Sequence, residues 1–199
     1  MVTSLPDSSQ LYNKVTFLAN RSQKGNYWNI SRRQGQFLRE LVRLHKPDRI
    51  LEVGTSNGFS ALWMVAGLSD VPTEFVTIEV DEGRFQEAQG HFRDLGIDWV
   101  TTLQGEVTEV LARYPFDGSF DFIFLDAAQK KYGEIFQQLV EKGCISSGAL
   151  LVADNVVSHQ LDGFLDQVGK RYRYQLYRLD GGLMVAQAAP GDRSPETHG

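Results

Sequence analysis

Short continuous apolar runs take turns along this chain with longer stretches in which apolar residues recur at helical spacing. RILEV (49–53) is an apolar, β-branched run that ends in a glycine cluster, and SALWMVAGL (60–68) after it has helical spacing. EFVTIEV (74–80) reads as a second strand and 82–95 as a polar-faced helix. VTTLQG (100–105) and VTEVLARY (107–114) repeat the pair, as do FDFIFLDA (120–127) and a helix near 132–142. GALLVADN (148–155) precedes a helix at 161–172, and YQLYRL (174–179) with GLMVAQA (182–188) predicts a closing hairpin. Upstream, 32–49 reads as an amphipathic helix.

Alternating βα units of this length predict a mainly parallel sheet with helices on both faces. Strands buried on both faces should be continuously apolar, and these are. In such sheets ligands bind beyond the carboxyl ends of the strands. There the polar residues of this chain gather: Glu52, Glu79, Asp126 and the Asp154-Asn155 pair each end or follow a strand.

The length, 199 residues, suits one domain, and no Gly/Pro/Ser-rich linker divides it. Residues 1–10 and 190–199 are polar and turn-rich and are expected to be loose. No apolar run approaches the roughly 20 residues that cross a bilayer, so no membrane partner is expected. The start lacks a secretory apolar core, and the one cysteine, Cys144, excludes an internal disulfide. A cytoplasmic location is expected. Charge is uneven: residues 1–50 carry nine Lys/Arg against three Asp/Glu, the remainder eleven against twenty-two. This is either a solvated helix surface or a basic face for an anionic acceptor such as RNA.

The turn after the first strand, LEVGTSNGFS (51–60), holds Gly54 and Gly58, which allow a sharp bend and close approach of a ligand. Ser56 stands where a dinucleotide fingerprint has its second glycine, and no Walker lysine follows. Glu52 beside the turn would repel phosphate and attract an ammonium group. Glu79 is placed to accept hydrogen bonds from ribose hydroxyls. A sugar joined to a cationic amino acid without phosphate matches this polarity, and S-adenosylmethionine is such a ligand.

Asp126 and Asp154-Asn155 follow strands expected to be neighbours. Two carboxylates and an amide are hard oxygen donors suited to Mg²⁺, Mn²⁺ or Ca²⁺. Alternatively, Asp154 and Asn155 cap the next helix. His159, four residues after Asn155, is a candidate base.

LEVGTSNGFS, VTIEVDEGRF, FDFIFLDAAQKKY and LLVADNVVSH, in that order, resemble the motifs of the class I cation-dependent O-methyltransferases. That group includes catechol and caffeoyl-coenzyme A O-methyltransferases, and the resemblance covers roughly residues 27–187. It implies a Rossmann-like, seven-stranded, mostly parallel sheet with a final antiparallel strand, and a homodimer. It implies divalent-cation-assisted methyl transfer to a hydroxyl of a small, catechol-like acceptor, with Asp126, Asp154 and Asn155 holding the cation. By the same resemblance Ile30, within Asn29–Ser31, Gly54, Ser56, Gly58, Ser60, Val80, Glu106 and Asp126 line the cofactor. The family commonly has a lysine three residues after the first metal aspartate; this chain has Gln129, with Lys130 and Lys131 next, so either the cation alone activates the acceptor oxygen or a shifted lysine, Lys130, substitutes. Trp28, Phe59 and Trp63 are aromatics that line a pocket or fill the core. Two alternatives stay open: a tRNA hydroxyuridine O-methyltransferase, and a protein that binds S-adenosylmethionine without transferring its methyl group.

Overall fold

The structure, a computed structural model, describes residues 4–22 and 29–188. Trp28, the first three residues and the tail from Ala189 lie outside the described residues.

Seven strands form one sheet: β1 (Arg49–Val53), β2 (Glu74–Glu79), β3 (Val100–Gln104), β4 (Phe120–Leu125), β5 (Ile145–Ala153), β6 (Arg173–Tyr177) and β7 (Leu183–Gln187). Their order is β3-β2-β1-β4-β5-β7-β6. The first five are parallel, and β7 runs antiparallel to both β5 and β6, as expected. Strand order reverses between β1 and β4, so the ends of Val53 and Leu125 flank the crevice where such folds bind ligands.

Helices cover both faces because alternate strand residues feed two cores. Ile50, Phe75, Phe122 and Val152 pack with α1 (Ser8–Ser22), α2 (Arg32–His45), α3 (Phe59–Val65) and α4 (Glu82–Asp94). Leu51, Val76, Ile123 and Leu151 pack with α5 (Val107–Arg113), α6 (Tyr132–Glu141) and α7 (Asp162–Gly169). Phe59 and Trp63 belong to the first core, edge to face with ring centroids 6.2 Å apart; neither is exposed to a ligand surface.

Several boundaries differ from the sequence expectation, among them the start of β5 at Ile145 and the end of α3 at Val65, and three helix ends have a local cause. α1 begins at Ser8, inside the stretch expected to be loose, because Asp7 accepts the N–H groups of Ser9 (2.9 Å) and Gln10 (3.1 Å) as an N-cap. Its buried Leu11, Val15 and Leu18 recur at helical spacing. α2 ends at His45 rather than 49, since Lys46 takes a left-handed conformation (φ 53°) before Pro47 and the chain then enters β1. α7 ends at Gly169, three residues early, where Lys170 and Arg171 lead into β6.

Candidate active site

The turn after β1 sits at the centre of the sheet's carboxyl edge. Gly54 has φ 101°, and a Cβ there would lie 2.0 Å from the Asp126 carbonyl oxygen. The glycine was expected to admit a ligand; its tightest demand is instead the close passage of the β1 and β4 ends. Gly58, φ 84°, starts α3. Glu52 is one layer deeper than its expected ammonium-binding place. It is 0% exposed, accepting the hydroxyls of Ser60 (2.5 Å) and Thr77 (2.6 Å). Burial pushes its carboxyl up to about 7, against the pull of those two hydroxyls.

Glu79 closes the turn from the β2 side. Its carboxylate accepts the N–H of Ser56 (2.7 Å) and of Asp81 (2.9 Å), so it holds the turn and the next helix in place. Ser56, φ 47°, donates its hydroxyl to Asn29 (3.3 Å), which brings the segment carrying the buried Ile30 over the turn. Val80 stands 63% exposed beside Glu79. An apolar side chain left open next to an acid and a glycine turn suits one face of a purine. The expected cofactor residues therefore converge, with Glu52, Ser60 and Gly58 beneath the surface and Gly54, Ser56 and Val80 on it.

The second cluster lies at the ends of β4 and β5. The Asp126 N–H donates to the Val53 carbonyl (2.8 Å) and the Asp154 N–H to the Leu125 carbonyl (3.0 Å), so β1, β4 and β5 stagger the two acids side by side. Asp126 is half-buried, and among the described residues its carboxylate accepts no hydrogen bond and joins no ion pair. Burial, then the charges of Asp154, Glu52 and Glu79, push its carboxyl well above the ordinary range. Asp154 is buried, and its carboxyl is pushed up to about 6, chiefly by burial. Asn155, φ 62°, turns its amide nitrogen to Asp154 (3.2 Å). Its amide oxygen lies where a Cβ on Gly181 would be 2.1 Å away, so Gly181 makes room for it. Asp154 also accepts a bond from the buried Gln34 amide of α2 (2.5 Å). Sequence reasoning missed Gln34, although Ser31-x-x-Gln34 is a capping-box pattern that could have drawn attention to it.

The remaining candidates lie on the rim. Glu106 caps α5, accepting the Thr108 N–H (3.1 Å), and pairs with the Lys131 ammonium at 2.7 Å. Burial raises the Glu106 carboxyl, but Lys131 and Thr108 outweigh it and hold it below its usual range. Lys131 is thus committed to the start of α5. Lys130, exposed, and Gln129, half-buried, share with it the 3₁₀ turn Gln129–Lys131. His159 sits on an exposed turn with Nδ1 3.1 Å from the Ser158 hydroxyl. Tyr132 is fully buried, donates its hydroxyl to the Leu125 carbonyl (3.0 Å) and anchors α6 below Asp126.

The positive charge of the first fifty residues is largely paired. Lys14 meets Asp94 and Arg21 meets Glu87, tying α1 to α4; Arg39 and Arg43 share Glu40, and Arg49 meets Glu74. Among the described residues no helix is long and apolar enough to cross a membrane.

Residues 2–178 match the O-methyltransferase family. The catechol O-methyltransferase of Niastella koreensis is 33% identical over 132 residues, 65% of this chain and 58% of that one. The catechol O-methyltransferase of Sus scrofa is 28% identical over 168 residues, 82% of this chain and 89% of that one. The chain thus spans under three fifths of the length of the first of these relatives. The O-methyltransferase from Bacillus cereus, solved in complex with SAH, superposes with a TM-score of 0.77 at 24% identity over 92% of each chain, a likeness of fold.

Proposed function

Because this chain belongs to the O-methyltransferase family, we propose that it transfers the methyl group of S-adenosylmethionine to a hydroxyl of a small acceptor with two neighbouring oxygens, assisted by a divalent cation. One observation carries the reading: the half-buried Asp126 carboxylate meets no donor among the described residues and faces three like charges. Such a group calls for a cation beside it.

The donor set fits a hard divalent ion. Asp126, Asp154 and the Asn155 amide are oxygen ligands, and Mg²⁺, Mn²⁺ or Ca²⁺ takes such ligands together with water or substrate oxygens. The Asn155 amide, whose nitrogen faces Asp154, would present its oxygen instead. When bound, the cation lowers the pKa of a coordinated hydroxyl and fixes its position. S-adenosylmethionine brings a methyl group already activated by its sulfonium, so the protein's task is alignment.

The chain's own residues divide that task. Glu79 and the Gly54–Gly58 turn shape the cofactor side, Val80 and Glu106 border the base, and Asp126 stands between cofactor and acceptor. We assign the acceptor's proton to Lys130 or His159, the ionisable groups on the two exposed turns after β4 and β5. The ion pairs that engage Lys14, Arg21, Arg39, Arg43 and Arg49 support a small acceptor over RNA, since each of these cations already has an acidic partner in the chain.

The test follows S-adenosylhomocysteine formation with catechol as acceptor, in Mg²⁺ and after chelation with EDTA. Transfer is expected to stop on chelation and to return with Mg²⁺. Transfer undiminished by chelation would overturn the cation's role. Transfer to hydroxyuridine RNA but not to catechol would replace the acceptor, and cofactor binding without transfer to either would leave a non-catalytic binder.

A further inference from the structure

Gln34 is the third residue of α2, far from the carboxyl edge in sequence and 2% exposed. Its amide is used at both ends. The oxygen accepts the Ser31 N–H (2.9 Å), while the Ser31 hydroxyl accepts the Gln34 N–H (3.1 Å), a reciprocal box that closes the start of the helix. Since that bond takes the oxygen, the amide can turn only its nitrogen towards Asp154, at 2.5 Å. The outer arm of the box is also tied down, because the Ser31 hydroxyl donates to Asp180 (2.5 Å) in the turn between β6 and β7. Helix α2 is therefore fixed to the sheet edge at two acids, Asp180 outside and Asp154 inside.

The chemistry of the inner contact is specific. An ammonium or guanidinium there would neutralise Asp154 and compete with any cation. A neutral amide donor binds one carboxylate oxygen, sets the plane of the group and leaves its charge in place. Outer partners of this kind orient ligating carboxylates. An apolar side chain would leave a buried carboxylate short of a donor.

We propose that Gln34 is a positioning residue that orients the Asp154 carboxylate for the divalent cation. This rests on the cation-assisted reading above. Gln34 acts through Asp154, and its amide orientation is set by the Ser31 N–H.

The experiment measures Mn²⁺ binding to the full chain with S-adenosylhomocysteine present, from the electron paramagnetic resonance signal of free Mn²⁺. Wild type, Gln34→Leu and Ser31→Ala are compared. Gln34→Leu removes the donor to Asp154 and one half of the helix box. Ser31→Ala breaks the same box from its other end and keeps the amide's hydrogen-bonding groups. Gln34→Leu is expected to weaken Mn²⁺ roughly 10–100-fold, with the affinity for S-adenosylhomocysteine changed about twofold or less. Ser31→Ala is expected to lower the Tm about as much and to change Mn²⁺ affinity by less than about threefold. Equal Mn²⁺ affinity in folded Gln34→Leu and wild type would overturn the proposal while leaving the cation site standing. Equal losses in the two variants would also overturn it, reducing Gln34 to a helix cap. No Mn²⁺ binding by wild type would overturn the cation reading itself and this inference with it.

Discussion

Two pairs of carboxylates stand on the same edge of one sheet, and they are treated in opposite ways. Glu52 and Glu79, at the β1–β2 end, receive four hydrogen bonds from the protein: two from the hydroxyls of Ser60 and Thr77, two from the backbone at Ser56 and Asp81. Among the described residues Asp126 and Asp154, at the β4–β5 end, receive two side-chain bonds, both on Asp154 and both from neutral amides, with the Asn155 backbone also drawing on Asp154, while Asp126 receives none. The first pair is finished as protein structure and serves to hold a turn. The second pair is left with like charges adjacent and, among the described residues, no cationic side chain on either, an arrangement that is costly alone and useful when a cation arrives. Both pairs look alike in sequence, as acids at strand ends, and only their donors tell them apart.

The strongest way to break this contrast is to exchange the two acids for amides one at a time. Asp126→Asn is expected to lower kcat/KM at least about 100-fold, since a cation's charge stabilisation is worth several kcal/mol and each 1.4 kcal/mol is tenfold. Glu52→Gln, beneath the ligand surface, is expected to cost less than about tenfold. The rate of S-adenosylhomocysteine formation with catechol and saturating Mg²⁺ measures both. Equal losses would mean that Glu52 reaches the ligand and that the division between the pairs is wrong.

Stability against pH sharpens the contrast at the next level. The Glu52 carboxyl is raised from 4.5 to about 7 in the folded protein by burial. A raised acid contributes its stability below the unfolded pKa and loses it as pH climbs through the folded one. Between pH 5 and pH 8 that loss is roughly 2–3 kcal/mol. Asp154, raised to about 6, acts in the same direction at lower pH, and a bound cation would cancel its share. Urea unfolding in Mg²⁺ is therefore expected to show wild type weaker at pH 8 than at pH 5, with the difference largely absent in Glu52→Gln. A variant that loses as much as wild type would clear Glu52 of the effect.

The sequence made the sheet legible because buried parallel strands are continuous apolar runs, and FDFIFL (Phe120–Leu125) or RILEV admit little else. It made the acids legible as strand-end residues for the same reason. Depth was hidden. Glu52 and Asp126 sit alike in their motifs, yet the first is sealed under α3 by Ser60 and the second is half-open, a difference set by which helix lies overhead. Gln34 was hidden too, since its partner Asp154 is 120 residues away and no local pattern links them. The basic first quarter could be read either as a solvated helix surface or as a face for an anionic partner, because Asp94 and Glu87, which meet Lys14 and Arg21, lie on a helix far along the chain.

The smallest expected effect concerns an ion pair that, among the described residues, spans the two regions. Lys131, on the turn after β4, reaches Glu106, the N-cap of α5 beside the cofactor end, at 2.7 Å. Glu106 draws the Lys131 ammonium to a higher pKa, so the pair stays charged across the neutral range. The side chains are 39% and 30% exposed, however, and solvent and salt screen charges so placed. Lys131→Met and Glu106→Gln are each expected to weaken S-adenosylmethionine binding by about two- to fivefold, and the double variant no more than the worse single one, because the two changes break one interaction. The effect should fade in 1 M salt, where the screening length is about 3 Å. Calorimetric titration at low and high salt checks it. A loss above about tenfold in Lys131→Met that survives high salt would mean that this lysine touches the cofactor itself. The two regions would then be joined by the ligand rather than by a surface charge pair, and Lys131 would take over from Lys130 as the lysine on this turn that matters.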